Sequence, residues 1–233
     1  MKKIITTTVF LFLFIYAAAQ ENILTAGFQF KPIFSSGFFD AGSKNTVQNN
    51  IDYSLKQKFG YCFGMMVRRG ITKKISFETG INYIQRNYEL SITDSTFKGI
   101  SDFGIVGYEV PLLGMVYIQL GERVFMNTAL GMSLDIFPSD IATSGDYFKN
   151  YSERKHMIQE AFLGNLGYEY RTEKSGYLYL GASYHRPLQN IYSSNIEYTG
   201  NNKSEITQID ILGNYLTLDI RYFFYEASLK QKK

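Results

Sequence analysis

The residues of this chain that could act as nucleophiles or bases are few. It contains two histidines, His156 and His185, and one cysteine, Cys62. Ser183 lies two positions before His185, so on a β-strand the two side chains would share a face, as a nucleophile and its base must. Such a pair is common by chance, and no third group that would orient the histidine can be identified. The sequence therefore predicts no enzyme and keeps Ser183, His185 and His156 as the catalytic alternative.

Metal, cofactor and nucleic-acid sites are also not indicated. Two histidines cannot form a histidine-rich metal site, and a single cysteine cannot form an intramolecular disulfide. The net charge of +3 provides no basic footprint for nucleic acid. The acidic residues of the predicted loops are scattered rather than spaced as a calcium loop, and are interpreted as solvated. They include Asp40, Asp52, Asp94, Asp102, Asp135, Asp140 and Asp146.

Six charged residues lie on the polar phase of segments whose other phase is apolar. They are Arg68, Glu78, Arg86, Glu109, Glu169 and Arg221. Their alternation with apolar neighbours places them on one face of β-strands, together with Cys62, which is interpreted as a small buried side chain. Charged groups away from water are stable only when they are paired, and this set has three of each sign. We therefore expect a structural network that fills an interior, with a narrow gated conduit as the functional alternative.

Eight segments with period-two alternation would carry these residues. They are 24–32, 58–69, 74–86, 107–119, 124–135, 157–171, 177–186 and 209–224. The connections alternate in length. Those rich in Ser, Asn, Asp, Gly and Lys are 33–56, 87–106, 136–156 and 187–208, whereas the tight turns are 70–73, 120–123 and 172–176. This alternation is typical of an all-β, eight-stranded, antiparallel up-and-down transmembrane β-barrel.

The distribution of charge decides which face of the strands would meet lipid. On the apolar phase of all eight segments only Glu160 is charged, and it lies near a strand end. An Arg or Lys at the membrane midplane costs about 2–4 kcal/mol, so this phase is predicted to face lipid and the charged phase to face the bore. Pro111 lacks the N–H that a closed ladder needs, and it predicts a β-bulge that would exchange the two faces.

A secretory leader precedes these segments. Residues 1–19 have a basic start, an apolar core from about Ile4 to Tyr16 and a small-residue end, Ala17-Ala18-Ala19. The sequence predicts cleavage before Gln20, a barrel over 20–225 and a short tail over 226–233.

The chain resembles the PorT-like outer-membrane β-barrel family, which has the general OmpA/OmpX shape. The resemblance is carried by the leader end, Tyr108–Leu113 (YEVPLL), Gly164–Tyr170 (GNLGYEY), Tyr184–Tyr192 (YHRPLQNIY) and Leu216–Phe224 (LTLDIRYFF). It implies an outer-membrane barrel, and some members are linked to protein secretion. In this family an aromatic at the end of the last strand is similar to the signal read by the barrel-insertion machinery, and Phe224 or Tyr225 would serve. The resemblance brings no catalytic residues.

The sequence thus predicts a non-enzymatic protein of a Gram-negative outer membrane, with a filled bore and long extracellular loops. Its expected partners are outer-membrane lipid, the barrel-insertion machinery and an unidentified envelope or secretion protein. The alternatives are a lipid-modifying outer-membrane enzyme and a soluble periplasmic lipocalin-like binding protein.

Overall fold

The computed structural model describes residues 24–37, 42–72, 74–173, 175–200 and 204–224. The predicted leader and tail lie outside these residues. Within them the chain forms thirteen strands: β1 (Leu24–Phe34), β2 (Lys44–Gln48), β3 (Ile51–Gly70), β4 (Ile75–Thr93), β5 (Lys98–Gln119), β6 (Val124–Ile136), β7 (Ile141–Gly145), β8 (Phe148–Arg154), β9 (Ile158–Arg171), β10 (Tyr177–Pro187), β11 (Tyr192–Tyr198), β12 (Glu205–Ile211) and β13 (Tyr215–Phe223). No helix in the described part of the chain is long and apolar enough to cross a membrane.

The larger sheet is antiparallel and closes on itself. Its order is β1-β13-β10-β9-β6-β5-β4-β3-β2, and β1 also pairs with β3, so the ladder returns to its first strand. We call this closed sheet the barrel and the space it encloses the bore. The predicted all-β antiparallel architecture is confirmed, but the chain has more strands than the eight that were predicted. The additional strands are short and lie in the predicted loops, except that β12 (Glu205–Ile211) runs into the last predicted segment.

Alternation of side chains along each barrel strand separates an apolar outer face from an inner face that carries the buried charged groups together with small apolar clusters. In β3, for example, Phe63 and Met65 are exposed, whereas Arg68 between exposed neighbours is buried. Outward apolar side chains in β3 run from Phe59 to Val67, about the length that a tilted strand needs to cross hydrocarbon. Leu130 on β6, 72% exposed, is one of many large apolar side chains exposed on this outer face, and an extended exposed apolar surface is unusual for a protein in water.

The last predicted strand, 209–224, is two strands in the structure. Gly213 adopts a positive φ of 76°, which a β-strand does not accept, and β12 ends before it while β13 begins after it. Asn214, predicted to face outward, is consequently buried.

The β-bulge predicted at Pro111 is wrong. The pairs Thr79↔Leu112 and Asn82↔Glu109 lie on either side of the proline in one register, so the faces of β5 do not change. Pro111 instead pairs with Ser133 of β6 in an uninterrupted ladder. The irregularity of the barrel lies in β3, between Lys58 and Tyr61.

A second sheet forms where the sequence predicted loops and the start of the last barrel segment. It has the order β12-β11-β8-β7, and we call it the cap sheet. Its inner side chains, such as Phe148, Ile196 and Ile209, share one apolar core with Tyr53 and Leu90 of the long-loop ends of β3 and β4. The cap sheet and these strand ends together are called the cap below. Two sheets with a common apolar core form a β-sandwich, so the connections are folded structure.

Candidate functional site: the charged bore

Four of the six predicted network residues meet in the half of the bore near the tight turns. Arg68 Nη2 lies 3.0 Å from Glu78 Oε2, and its Nη1 lies 2.5 Å from Glu169 Oε2. Arg221 Nη1 lies 2.8 Å from Glu78 Oε1 and its Nη2 lies 2.6 Å from Asp219 Oδ2. All five side chains are buried, so these are charge-assisted hydrogen bonds without competing water.

The bond between Arg68 and Glu169 joins opposite walls. Arg68 is on β3 and Glu169 is on β9, and each strand is four pairings from the other in both directions around the barrel. Tyr215 on β13 and Glu109 on β5 have the same relation, and the tyrosine hydroxyl donates to the carboxylate at 3.0 Å. Side chains therefore meet across the full width of the bore at two levels.

Asp219 is the acceptor on which neutral polar groups converge. The hydroxyls of Ser183 and Thr217 each donate to it at 2.5 Å, and Asn165 Nδ2 donates at 2.9 Å. Lys31 Nζ lies 3.8 Å away. The Ser183 hydroxyl is thus directed at a carboxylate, and the structure does not make it the partner of His185.

The other two predicted network residues, Arg86 and Glu109, lie in the half of the bore near the cap. Arg86 Nη2 donates to Asp135 Oδ2 at 2.9 Å. His185 Nε2 lies 3.1 Å from Asp135 Oδ2 and 3.6 Å from Glu109 Oε2. The imidazole of His185 stacks on the Tyr215 ring with centroids 4.4 Å apart.

Sequence reasoning placed one member of this second cluster, Asp135, incorrectly. Asp135 was interpreted as a solvated loop residue, but it lies within β6 and is buried. Its alternation with Ser133 was the signal that could have placed it inside. His185 is fully buried, whereas His156, the other histidine of the catalytic alternative, is exposed. Cys62 is buried, and no disulfide is possible for it within the chain.

Aromatic rings cover the guanidinium groups at both ends of the bore. Near the tight turns the Arg68 guanidinium lies 3.9 Å from the Phe223 ring centroid, and that of Arg171 lies 4.1 Å from Phe125. Near the cap, Arg86 lies 5.3 Å from Phe137, which belongs to the apolar core of the cap. These cation–π contacts add to the ion pairs and leave little room beside the charges.

The outer surface changes from apolar to charged just below the cap. Tyr61, Tyr83 and Tyr108 form a row with successive ring centroids 6.1 and 6.0 Å apart. Further toward the cap, Lys58 forms ion pairs of 2.9 Å with Asp102 and 3.4 Å with Glu89. A tyrosine row followed by charges is the pattern of a membrane–water interface.

Within the cap, Asp94 is held by hydrogen bonds. The Tyr198 hydroxyl donates to Asp94 Oδ2 at 2.7 Å, and the backbone N–H groups of Thr96 and Phe97 donate to Oδ1. The bond from Tyr198 is the main cause that lowers the pKa of Asp94 to about 2. Burial, and then this bond to Asp94, raise the pKa of Tyr198 to about 12. The turn between β4 and β5 is therefore fastened to β11.

Comparison with known proteins supports the fold. The chain matches no protein-family model and no curated protein. It is similar to the crystal structure of the outer membrane protein OprG from Pseudomonas aeruginosa, with a TM-score of 0.56 and 12% sequence identity. The match covers 90% of this chain and 99% of OprG. At this identity the likeness establishes the fold, an outer-membrane type of β-barrel, and none of the comparisons bears on the PorT-like family.

Proposed function

We propose that this chain is a Gram-negative outer-membrane β-barrel that does not conduct and that acts, through its cap, as an interaction or accessory component of the cell envelope. The observation that carries the proposal is the inversion of polarity: exposed apolar side chains surround a core of ion pairs. In water the exposed side chains of Phe63, Leu130 and Leu166 would stay hydrated, which is unfavourable for apolar groups. In a bilayer the same side chains would contact hydrocarbon.

Location is tested by fractionation of cells that express the full chain. We expect the protein in the outer-membrane fraction, with a gel mobility that changes on heating, as folded barrels show. A lipocalin-like binding protein would instead leave with the periplasm. Recovery in the periplasmic fraction would therefore contradict the proposal.

The side-chain bonds between opposite walls support a closed bore. In planar bilayers we expect almost no current from the wild-type protein. Glu109→Ala removes the acceptor of the Tyr215 bond and one of the two carboxylates beside His185, so current should rise. Glu173→Ala, in an exposed turn, is the matched control and should not conduct. Steady channels in the wild-type protein would favour the gated-conduit alternative.

A folded cap supports a role in interaction. The outward face of the cap sheet carries Lys149, Glu197 and Gln208, which are exposed. A photo-crosslinking residue at Glu197 should trap a discrete envelope protein, and one at Leu166, on the lipid-facing wall, should not. A secretion component as the trapped protein would fit the PorT-like resemblance of the sequence. The absence of any product at Glu197, Lys149 and Gln208 would contradict a cap-borne interaction.

The absence of enzymatic activity is part of the proposal. The hydrogen bonds of Ser183 with Asp219 and Asn165 give its hydroxyl a structural use. Lipid A from cells with and without the gene should have identical mass profiles. A difference in acylation would support the lipid-modifying alternative.

A further inference from the structure

We infer that Glu109, Asp135 and His185 form a binding site for one divalent transition-metal ion of the zinc type inside the barrel. The three side chains come from β5, β6 and β10 and are all buried. Each offers one ligand atom, and these atoms lie within 4.8 Å of one another. The inference does not depend on the proposed function.

The spacing of the ligand atoms suits such an ion. Zinc binds nitrogen and oxygen at about 2.0–2.2 Å, so neighbouring ligand atoms of a tetrahedral site lie about 3.4 Å apart. His185 Nε2 lies 3.1 Å from Asp135 Oδ2 and 3.6 Å from Glu109 Oε2. These two separations bracket the tetrahedral value. Carboxylate with imidazole is a donor set that zinc commonly accepts.

Each ligand is also oriented from outside the site. Both carboxylates accept hydrogen bonds from neighbouring side chains, one of which, Ser133 Oγ, also lies 3.3 Å from His185 Nε2. The donors are Tyr215 (3.0 Å) and Asn82 (2.7 Å) to Glu109, and Arg86 (2.9 Å) and Ser133 (3.0 Å) to Asp135. The imidazole is fixed by its stacking on Tyr215. Outer partners of this kind fix the direction of metal ligands and strengthen binding.

The charge of the cluster calls for a further cation. Glu109 and Asp135 supply two negative charges, and Arg86, which binds Asp135, supplies one positive charge. Nδ1 of His185 has no hydrogen-bond partner among the described residues, so the only polar contacts of the ring are on the Nε2 side. A bound metal ion would contact all three ligands.

The test is zinc content after refolding. The full chain is refolded into detergent micelles with zinc or with a chelator, desalted, and analysed for metal, and Co²⁺ serves as the spectroscopic probe. We expect about one zinc per wild-type chain, and ligand-field bands of low-coordinate cobalt. His185→Gln should lose the metal. His156→Gln, which changes the only other histidine, and Cys62→Ala should keep it.

A second variant, which removes a hydrogen bond to one ligand but leaves the three ligands in place, separates loss of the metal from failure to fold. Tyr215→Phe retains the ring but removes the hydroxyl that donates to Glu109, and should weaken zinc binding by about 10-fold or more. Each variant is first shown to fold by its heat-dependent gel shift. The inference is overturned if folded wild-type protein holds no zinc. It is also overturned if folded His185→Gln retains the metal.

Discussion

Replacing Glu78 by glutamine tests whether the ion pairs hold the barrel together. The substitution keeps the shape of the side chain and removes its charge. Glu78 accepts three hydrogen bonds, from Arg68 Nε at 3.1 Å, Arg68 Nη2 at 3.0 Å and Arg221 Nη1 at 2.8 Å. In the variant, two buried guanidinium groups would lose the carboxylate that they share.

The expected decrease in the free energy of unfolding is large because the site is shielded from solvent. Glu78 is 1% exposed, and Arg68 and Arg221 are 5% and 1% exposed. Removing one partner of a buried ion pair costs about 3–5 kcal/mol, because the remaining charge stays without solvent or partner. Arg68 keeps Glu169 and Arg221 keeps Asp219, so we expect a decrease in the free energy of unfolding of about 3 kcal/mol, at the lower end of that range.

The assay is urea unfolding of the full chain in lipid vesicles. Because the chain has no tryptophan, the folded fraction is followed by the gel shift and by circular dichroism. Glu173→Gln is the matched control, since Glu173 also pairs with an arginine, Arg123, but in an exposed turn. Its expected effect is at most about 1 kcal/mol. Equal stabilities of the two variants would refute the view that the buried pairs stabilise the barrel.

Two further predictions concern packing and pH. Gly131→Ala would place a methyl group against the Leu112 carbonyl oxygen and should lower the free energy of unfolding by about 1–3 kcal/mol. Gly121→Ala is the control, because open space surrounds Gly121, and it should change the free energy of unfolding little. Equal urea midpoints for the two variants would contradict this prediction. Because its folded pKa is depressed to about 2, Asp94 stabilises the cap above its ordinary pKa, and this contribution should vanish as pH falls from about 4 to about 2. The protection factor of the 94–97 amides against hydrogen exchange should fall over that range in the wild-type protein but not in Asp94→Asn.

The all-β antiparallel architecture could be predicted because it is a local property of the sequence. In a strand the side chains alternate between two faces, so the phases of β3 to β6 can be read from a few neighbours. The ends of the strands were harder to predict from the sequence. β3, β4 and β5 extend well beyond the predicted segments, since their ends leave the barrel and pack with the cap sheet around one apolar core.

The cap escaped prediction because its strands are short and their apolar residues are few. Ile196 and Ile209 belong to different predicted elements, a loop and a barrel strand, yet they share one core. Gly213 divides the predicted last strand into β12, which joins the cap sheet, and β13, which joins the barrel. Only the backbone conformation of Gly213 reveals this division. The sequence also predicted the wrong register at Pro111. The proline lacks an N–H, but the loss of one hydrogen bond does not shift the pairing of β4 with β5.

By itself the sequence determined that the chain alternates apolar and charged faces along antiparallel strands, because each strand carries that information in its own residues. Only the tertiary structure decided which charges meet. Arg68 and Glu169 are 101 positions apart, and Tyr215 and Glu109 are 106 apart, so closure of the sheet, rather than any local pattern, brings them within hydrogen-bond distance. The same closure assembles His185 with two carboxylates from other strands, because a bore gathers side chains from every wall into one small volume.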